Sequence, residues 1–234
     1  ALSGITTVYD MKENKIIGEL QTGTLPVAVG MMPDGSKSYV ADFFDSTISV
    51  IDTDNATLLK KINLLKDYDP ITGNLTGPMG LFPIQTPVSP DGQYMVTANT
   101  GGTITILDTE IDEIVKELPC DPGCHGVNFG AKKGGGYYAY VSSTFSNDAI
   151  VVDGDPNNDG NPEDASIAGR VSLVASSTTQ TDDEISDLAG TGGQGVLAIP
   201  TVYNRWVQNL PNVWKESLTE EQRNPVSTNT TMSQ

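Results

Sequence analysis

Cys120-Asp-Pro-Gly-Cys124-His125 gathers both cysteines and the single histidine of the chain into six residues. Three chemistries compete for this segment. A disulfide across the Pro-Gly turn fits the spacing, and because the closed loop is short its entropic contribution would be modest. Cys-x-x-x-Cys-His is also one residue longer than the c-type haem attachment motif. On that reading Cys120 and Cys124 carry haem c, His125 is the proximal ligand, and a methionine such as Met31, Met32 or Met79 lies opposite. Third, a thiolate and His125 together would suit copper or another soft metal.

A second constellation is acidic. Asp153-Gly-Asp-Pro-Asn-Asn-Asp-Gly-Asn-Pro-Glu-Asp164 follows the apolar run Ala149-Ile-Val-Val152. Framed from Asp155, oxygen donors recur at Asp155, Asn157 and Asp159, and Gly160 permits a sharp turn. Asn161 then offers its carbonyl and Glu163 takes the ninth position, as in calcium loops. The twelfth position is Ser166, so the bidentate glutamate of an EF-hand is absent, and Asp164 or Asp153 would substitute. The expected ion is calcium in a structural role. A solvated acidic turn built from Asn-Gly-Pro loop chemistry is the alternative.

Composition bounds the rest. Thirteen Lys and Arg stand against 30 Asp and Glu, a net charge of −17. Nucleic acids and anionic membrane surfaces are disfavoured partners, because both need clustered cations. No apolar run reaches the roughly 18–20 residues of a membrane span, and a Cys/His zinc module lacks ligands. With His125 alone, no Ser-His-Asp arrangement forms elsewhere, so any other acid or base is a carboxylate. The acidic surface, the cysteine pair and an opening on Ala1 without a basic-then-apolar leader suggest an exported, periplasmic or extracellular protein after signal removal, or a fragment. Sequons stand at Asn55, Asn74 and Asn229.

Both constellations must be held by a repeat. Residues 26–62 and 83–118 each run through an apolar stretch, Pro-Asp-Gly (33–35, 90–92), an alternating strand (SYVAD, YMVTAN) and a polar turn. A second alternating strand ending in Asp (ISVIDT, ITILDT), another turn and a last strand (LLKKI, IVKEL) follow. A degenerate copy from Cys124 carries YYAYVSS and AIVVD, with Lys-Lys-Gly-Gly-Gly in place of Pro-Asp-Gly. A partial copy opens the chain as ITTVYDM and KIIGEL, matching the last two strands. Period-two alternation marks half-buried antiparallel strands, and Asp-Gly turns join them as hairpins. Four short strands in roughly 40 residues is the signature of a propeller blade, which buries its faces only by stacking on neighbours.

The segment VAVGMMPDGSKSYVADFFDSTISVIDT resembles the YVTN-type β-propeller repeats of exported bacterial and archaeal proteins, related to the propeller subunits of quinohaemoprotein amine dehydrogenases. SYVAD and YMVTAN stand in for YVTN, and Pro122-Gly-Cys-His-Gly126 is similar to the Pro-His-Gly that opens such a blade. The resemblance covers about residues 1–174. It implies an all-β propeller whose roles are binding, scaffolding or redox partnership.

The expected organisation is blades over 1–174 with the calcium loop at 153–164 inserted, and an irregular extension over 175–234. About three and a half blades are recognisable, fewer than the four to eight that close a ring. A protein partner or a missing part of the same chain is therefore expected to complete it. The leading expectation is a binding or scaffold module rather than an enzyme by itself. Alternatives are a subunit of a periplasmic redox enzyme and a cell-surface or surface-layer protein. Residues 65–82 interrupt the repeat as a face insertion. Lys132-Lys133 beside glycines reads as a hairpin turn, and GGQGVLAIP (192–200) as a first strand of another blade. Beyond it, Trp206 and Trp214 suit anchoring, Thr219 with Gln222 caps a short helix before Pro225, and residues 227–234 read as a disordered tail or a linker.

Overall fold

The computed structural model describes residues 3–173, 193–198 and 216. The chain starts with a two-stranded sheet, β1 (Ile5–Asp10) and β2 (Lys15–Gln21). Three four-stranded antiparallel sheets follow. The first complete one holds β3 (Pro26–Met31), β4 (Lys37–Asp42), β5 (Thr47–Asp52) and β6 (Thr57–Asn63). The second holds β7 (Pro83–Gln85), β8 (Tyr94–Asn99), β9 (Thr103–Asp108) and β10 (Glu113–Pro119). The third holds β11 (Cys124–Ala131), β12 (Tyr137–Ser143), β13 (Asp148–Asp153) and β14 (Ser166–Ser172), with a short 3-10 turn at Pro162–Asp164. Within each sheet the strands pair in chain order. The all-β expectation holds, and the strands read at 26–62 and at 83–118 fall into one sheet each.

The same local chemistry closes each blade. The third strand ends in an aspartate that accepts N–H groups of the following turn. Asp10 Oδ1 takes Lys12 N at 2.8 Å and Glu13 N at 2.9 Å. Asp52 Oδ1 takes Asn55 N at 2.9 Å, and Asp108 Oδ1 takes Glu110 N at 2.7 Å. Four residues on, the chain turns through positive φ at Asn14, Ala56 and Asp112. The two-stranded sheet is thus the third and fourth strands of a blade, as the motif match anticipated. Gly35 and Gly92, both at φ +79°, make the Pro-Asp-Gly turns; a side chain there would be strained.

Adjacent sheets stack face to face. Tyr39, Ala41, Ile48 and Val50 of the first complete blade bury against Met95 and Leu107 of the second. The opposite face of the second (Tyr94, Val96, Ile104, Ile106) buries against Val127, Phe129, Val141 and Ile150 of the third. The first strands β3, β7 and β11 approach one another, which puts them at the hub. There Gly30 permits backbone contact between blades: a Cβ on it would overlap the Thr86 carbonyl. Polar locks add register. Lys37 Nζ pairs with Asp112 Oδ1 at 2.9 Å, and the Tyr39 hydroxyl donates to that oxygen at 2.6 Å.

The insertion 65–82 crosses the seam between the first two complete blades. Its Met79 carbonyl accepts Thr103 Oγ1 at 2.9 Å, and Gly80 N donates to Leu64 O at 3.0 Å. Beneath it runs a polar chain: Asn99 Nδ2 donates to Thr105 Oγ1 (2.8 Å), which donates to Glu117 Oε1 (3.0 Å). Burial pushes the Glu117 pKa up to about 7, against the opposing pull of the Thr105 hydroxyl and of Lys66. A carboxyl whose folded pKa exceeds its unfolded value contributes stability below the unfolded value of 4.5 that is lost as pH rises through about 7. Glu117→Gln should remove this component. Its melting temperature should match wild type near pH 4.5 and exceed it by a few degrees at pH 8. Comparing the pair isolates Glu117 from Asp10, Asp34, Asp52, Asp69 and Asp121, whose lowered pKa values act in the opposite sense.

Candidate functional site

Cys120 and Cys124 form a disulfide with Cα atoms 6.1 Å apart, bridging the end of β10 to the start of β11. A sulfur bonded this way carries no thioether and no thiolate charge, so the haem c and copper readings of Cys120, Cys124 and His125 require the pair to be reduced. Gly123, at φ +74°, turns the chain immediately before Cys124. It corresponds to Leu25 and Phe82, also at positive φ, which precede the first strands of the other two complete blades. Phe145 packs over Gly123, and Asp121 holds Arg170 through two bonds of 2.6 and 2.8 Å. The segment thus staples one blade to the next at one end of the hub.

His125 stands on β11 beside this staple. Its Nδ1 meets the Gln194 carbonyl at 2.6 Å, so Nδ1 carries the proton. Residues 193–198 lie across β11: a Cβ on Gly126 would meet Gln194 O and Gly195 Cα at 2.9 Å, and one on Gly130 would meet Ala198 Cβ at 3.1 Å. Thr86–Pro87 lies across Gly30 in the same relation. Residues 193–198 therefore lie where a following blade's first strand would, but they form no strand, whereas the sequence pattern put one over 192–200.

The acidic loop joins β13 to β14. Asp155 is its buried anchor, accepting Asp159 N (3.1 Å) and Gly160 N (2.9 Å) on separate oxygens. Asn157 Oδ1 accepts Asp159 N at 2.9 Å, Asp159 Oδ1 accepts Asn161 N at 2.8 Å, and Asn161 Oδ1 accepts Glu163 N at 3.0 Å. Gly160 makes the turn at φ +87°. Asp164 closes the 3-10 turn. Among the described residues no group of three or more His, Cys, Asp or Glu is drawn together to hold a metal ion. Asp153 is engaged elsewhere: Lys132 Nζ lies 2.9 Å from its Oδ1 and also donates to the Asp155 carbonyl at 2.9 Å. Its position explains this. Asp153 is the aspartate ending a third strand, equivalent to Asp10, Asp52 and Asp108, and so belongs to the blade. Lys132, which the sequence pattern placed in a hairpin turn, is the residue that reasoning missed. The alignment of strand-end aspartates was the available signal for Asp153, but nothing local pointed to Lys132.

Asn55 and Asn74 are exposed, Asn55 in a turn with its side chain on Asp52 and Asn74 in the insertion 65–82. Asn229, Trp206, Trp214, Thr219, Gln222, Pro225 and residues 227–234 lie outside the described residues.

No family model matches the chain, and no curated protein matches it. Among solved structures, dihydro-heme d1 dehydrogenase NirN in complex with DHE superimposes with a TM-score of 0.51 at 16% identity, over 74% of this chain and 33% of that one. Hydrazine synthase of Kuenenia stuttgartiensis gives a TM-score of 0.49 at 24% identity, over 63% of this chain and 39% of that one. The likeness to NirN is one of fold, and it agrees with the stacked four-stranded sheets. The chain is an all-β propeller section. It spans well under half the length of either solved chain, and its blades do not close a ring among the described residues. The YVTN likeness stays a resemblance of motif.

Proposed function

We propose that this chain is the binding or scaffold section of an exported β-propeller, completed by further blades from a longer polypeptide or a protein partner. One observation carries the reading: the first sheet has two strands where its three neighbours in sequence have four. A sheet edge and face left open in this way are a liability that assembly removes. The disulfide, the −17 charge and the lack, among the described residues, of a helix able to cross a membrane are compatible with export. Native mass spectrometry of the protein purified from its own cells tests the reading. The expected result is a species heavier than 24.8 kDa that contains additional blade strands. A monodisperse 24.8 kDa monomer with a closed ring overturns it.

Calcium in the 153–164 loop belongs to the same proposal. Support comes from the spacing of Asp155, Asn157, Asp159, Asn161 and Glu163, which is that of calcium-loop ligands, in a loop whose Asp155, Asn157, Asp159 and Asn161 side chains each accept a loop N–H. These residues would hold the ion with Glu163, and its role is to stiffen the insertion. Calcium at about 100 times its dissociation constant should stabilise by ~2.7 kcal/mol. For a chain of this size that raises the melting temperature by roughly 5–10 °C. An unchanged melting temperature in calcium and in chelator removes the metal from the account.

A further inference from the structure

The open side of the first sheet is more specific than an exposed edge. Val29 on β3 pairs with Val40 and shares its face, which looks toward the β1–β2 sheet. Its counterparts are Thr86 before β8 and Val127 on β11, each on the face that meets the preceding blade. Val127 and Thr86 are 3% and 1% exposed, whereas Val29 is 58% exposed. Met31 repeats the contrast at 53%, against 7% for its counterpart Phe129. Val27 is exposed with them. Thr86 and Val127 are covered because the blade before each contributes all four strands. Val27, Val29 and Met31 are bare because β1 and β2 supply only the third and fourth.

The edge of β1 carries a matching polar signal. In the first two complete blades the residue ending the second strand clasps a hydroxyl of the third. Asp42 Oδ2 accepts Ser49 Oγ at 2.6 Å, and Asn99 Nδ2 donates to Thr105 Oγ1 at 2.8 Å. Counting back from the strand-end aspartates Asp10, Asp52 and Asp108, the residue of β1 at the Ser49 and Thr105 position is Thr7. Thr7 is exposed on the strand's outward face.

We propose that the free edge of β1 and the Val27–Val29–Met31 stripe together form an acceptor site for a two-stranded β-hairpin, the first and second strands of this blade, supplied by a polypeptide segment outside these 234 residues. This deepens the assembly reading above and rests on it. The chemistry of the occupant follows from the internal copies. Its inner strand lies at the hub. Its second strand runs antiparallel to β1, turns small and β-branched apolar residues toward β3, and ends in Asp or Asn that clasps Thr7. The main chain supplies pairing and the alternate side chains supply selectivity, as in other strand-addition complexes. A second copy of this chain is the competing occupant.

The test uses the 234-residue chain with a fluorescently labelled synthetic peptide of residues 83–99, a complete first-and-second-strand hairpin ending in Asn99. Fluorescence anisotropy should show saturable one-to-one binding, absent for a scrambled peptide. Val29→Lys places a charge in the stripe at an exposed position and should leave the melting temperature within a degree of wild type while weakening binding at least tenfold. Thr7→Val should weaken it less, by several-fold. Three results overturn the proposal: no saturable binding, binding indifferent to Val29→Lys, or a sedimenting dimer that Val29→Lys returns to monomer, which assigns the surface to a second copy. Native mass alone decides the assembly reading, so the two can fail separately.

Discussion

Replacing Gly30 with alanine should be among the most damaging single changes in the molecule, lowering stability by about 3 kcal/mol or more and the melting temperature by roughly 6–12 °C. The reason is geometric. Gly30 lies on the hub strand β3, and the space its Cβ would need is filled by the Thr86 carbonyl, with the Thr86 carbonyl carbon next nearest at 2.6 Å. These are backbone atoms of the next blade, so no rotamer change relieves the overlap. The two blades must separate, and separation undoes the buried cluster of Tyr39, Ile48, Val50, Met95 and Leu107 that joins them. Gly35→Ala is the control. Nothing lies within 4 Å of its added Cβ, so it reports only the strain of positive φ, expected at about 1 kcal/mol. Thermal unfolding of the three proteins checks the ranking, and Gly30→Ala as mild as Gly35→Ala would contradict the hub packing.

The second large effect lies under the acidic loop. Lys132 and Asp153 side chains are 8% and 12% exposed, so each charge depends on the other. Asp153→Ala leaves a buried ammonium with only the Asp155 carbonyl and a place over the Tyr138 ring, 5.8 Å from its centroid. Breaking such a pair costs about 3–5 kcal/mol. Replacing both partners, Lys132→Met with Asp153→Leu, removes the stranded charge and should recover most of that loss. Chemical denaturation of the single and double variants measures the difference. The same variants bear on the metal proposal. If Asp153 serves the blade rather than an ion, the double variant keeps any calcium-dependent rise in melting temperature, whereas Asp155→Ala abolishes it.

How far the sequence alone reached depends on the range of each interaction. Blade strands were legible because alternation is a property of neighbours, and the Pro-Asp-Gly turns because Gly35 and Gly92 sit where φ is positive. The half blade was legible from ITTVYDM and KIIGEL, and the structure pairs those strands from Ile5 to Gln21. The disulfide was one of three readings of the same six residues, and only the position of the two chain segments singles it out. Leu25 and Phe82 were not legible: bulky residues carry no local signal for positive φ, and the turn is imposed by the blades on either side. Lys37–Asp112 and Lys132–Asp153 were equally hidden, because the partners of the first pair sit 75 residues apart on different blades and those of the second 21 apart. In the acidic loop the oxygen spacing was legible, and so was Asp153 as the last residue of the AIVVD strand, but its pairing with Lys132 was not.

The central claim is that the chain is a propeller section open at its first sheet, and hydrogen exchange on the isolated 234-residue protein tests it most directly. Amides of β8 and β9, paired on both sides and buried between blades, should exchange only through global unfolding. Amides of β1 that face away from β2 should exchange at rates close to those of an unpaired chain. Protection across the whole of β1 equal to that of β8 would contradict the claim, because it would mean that strands within these 234 residues already close the blade.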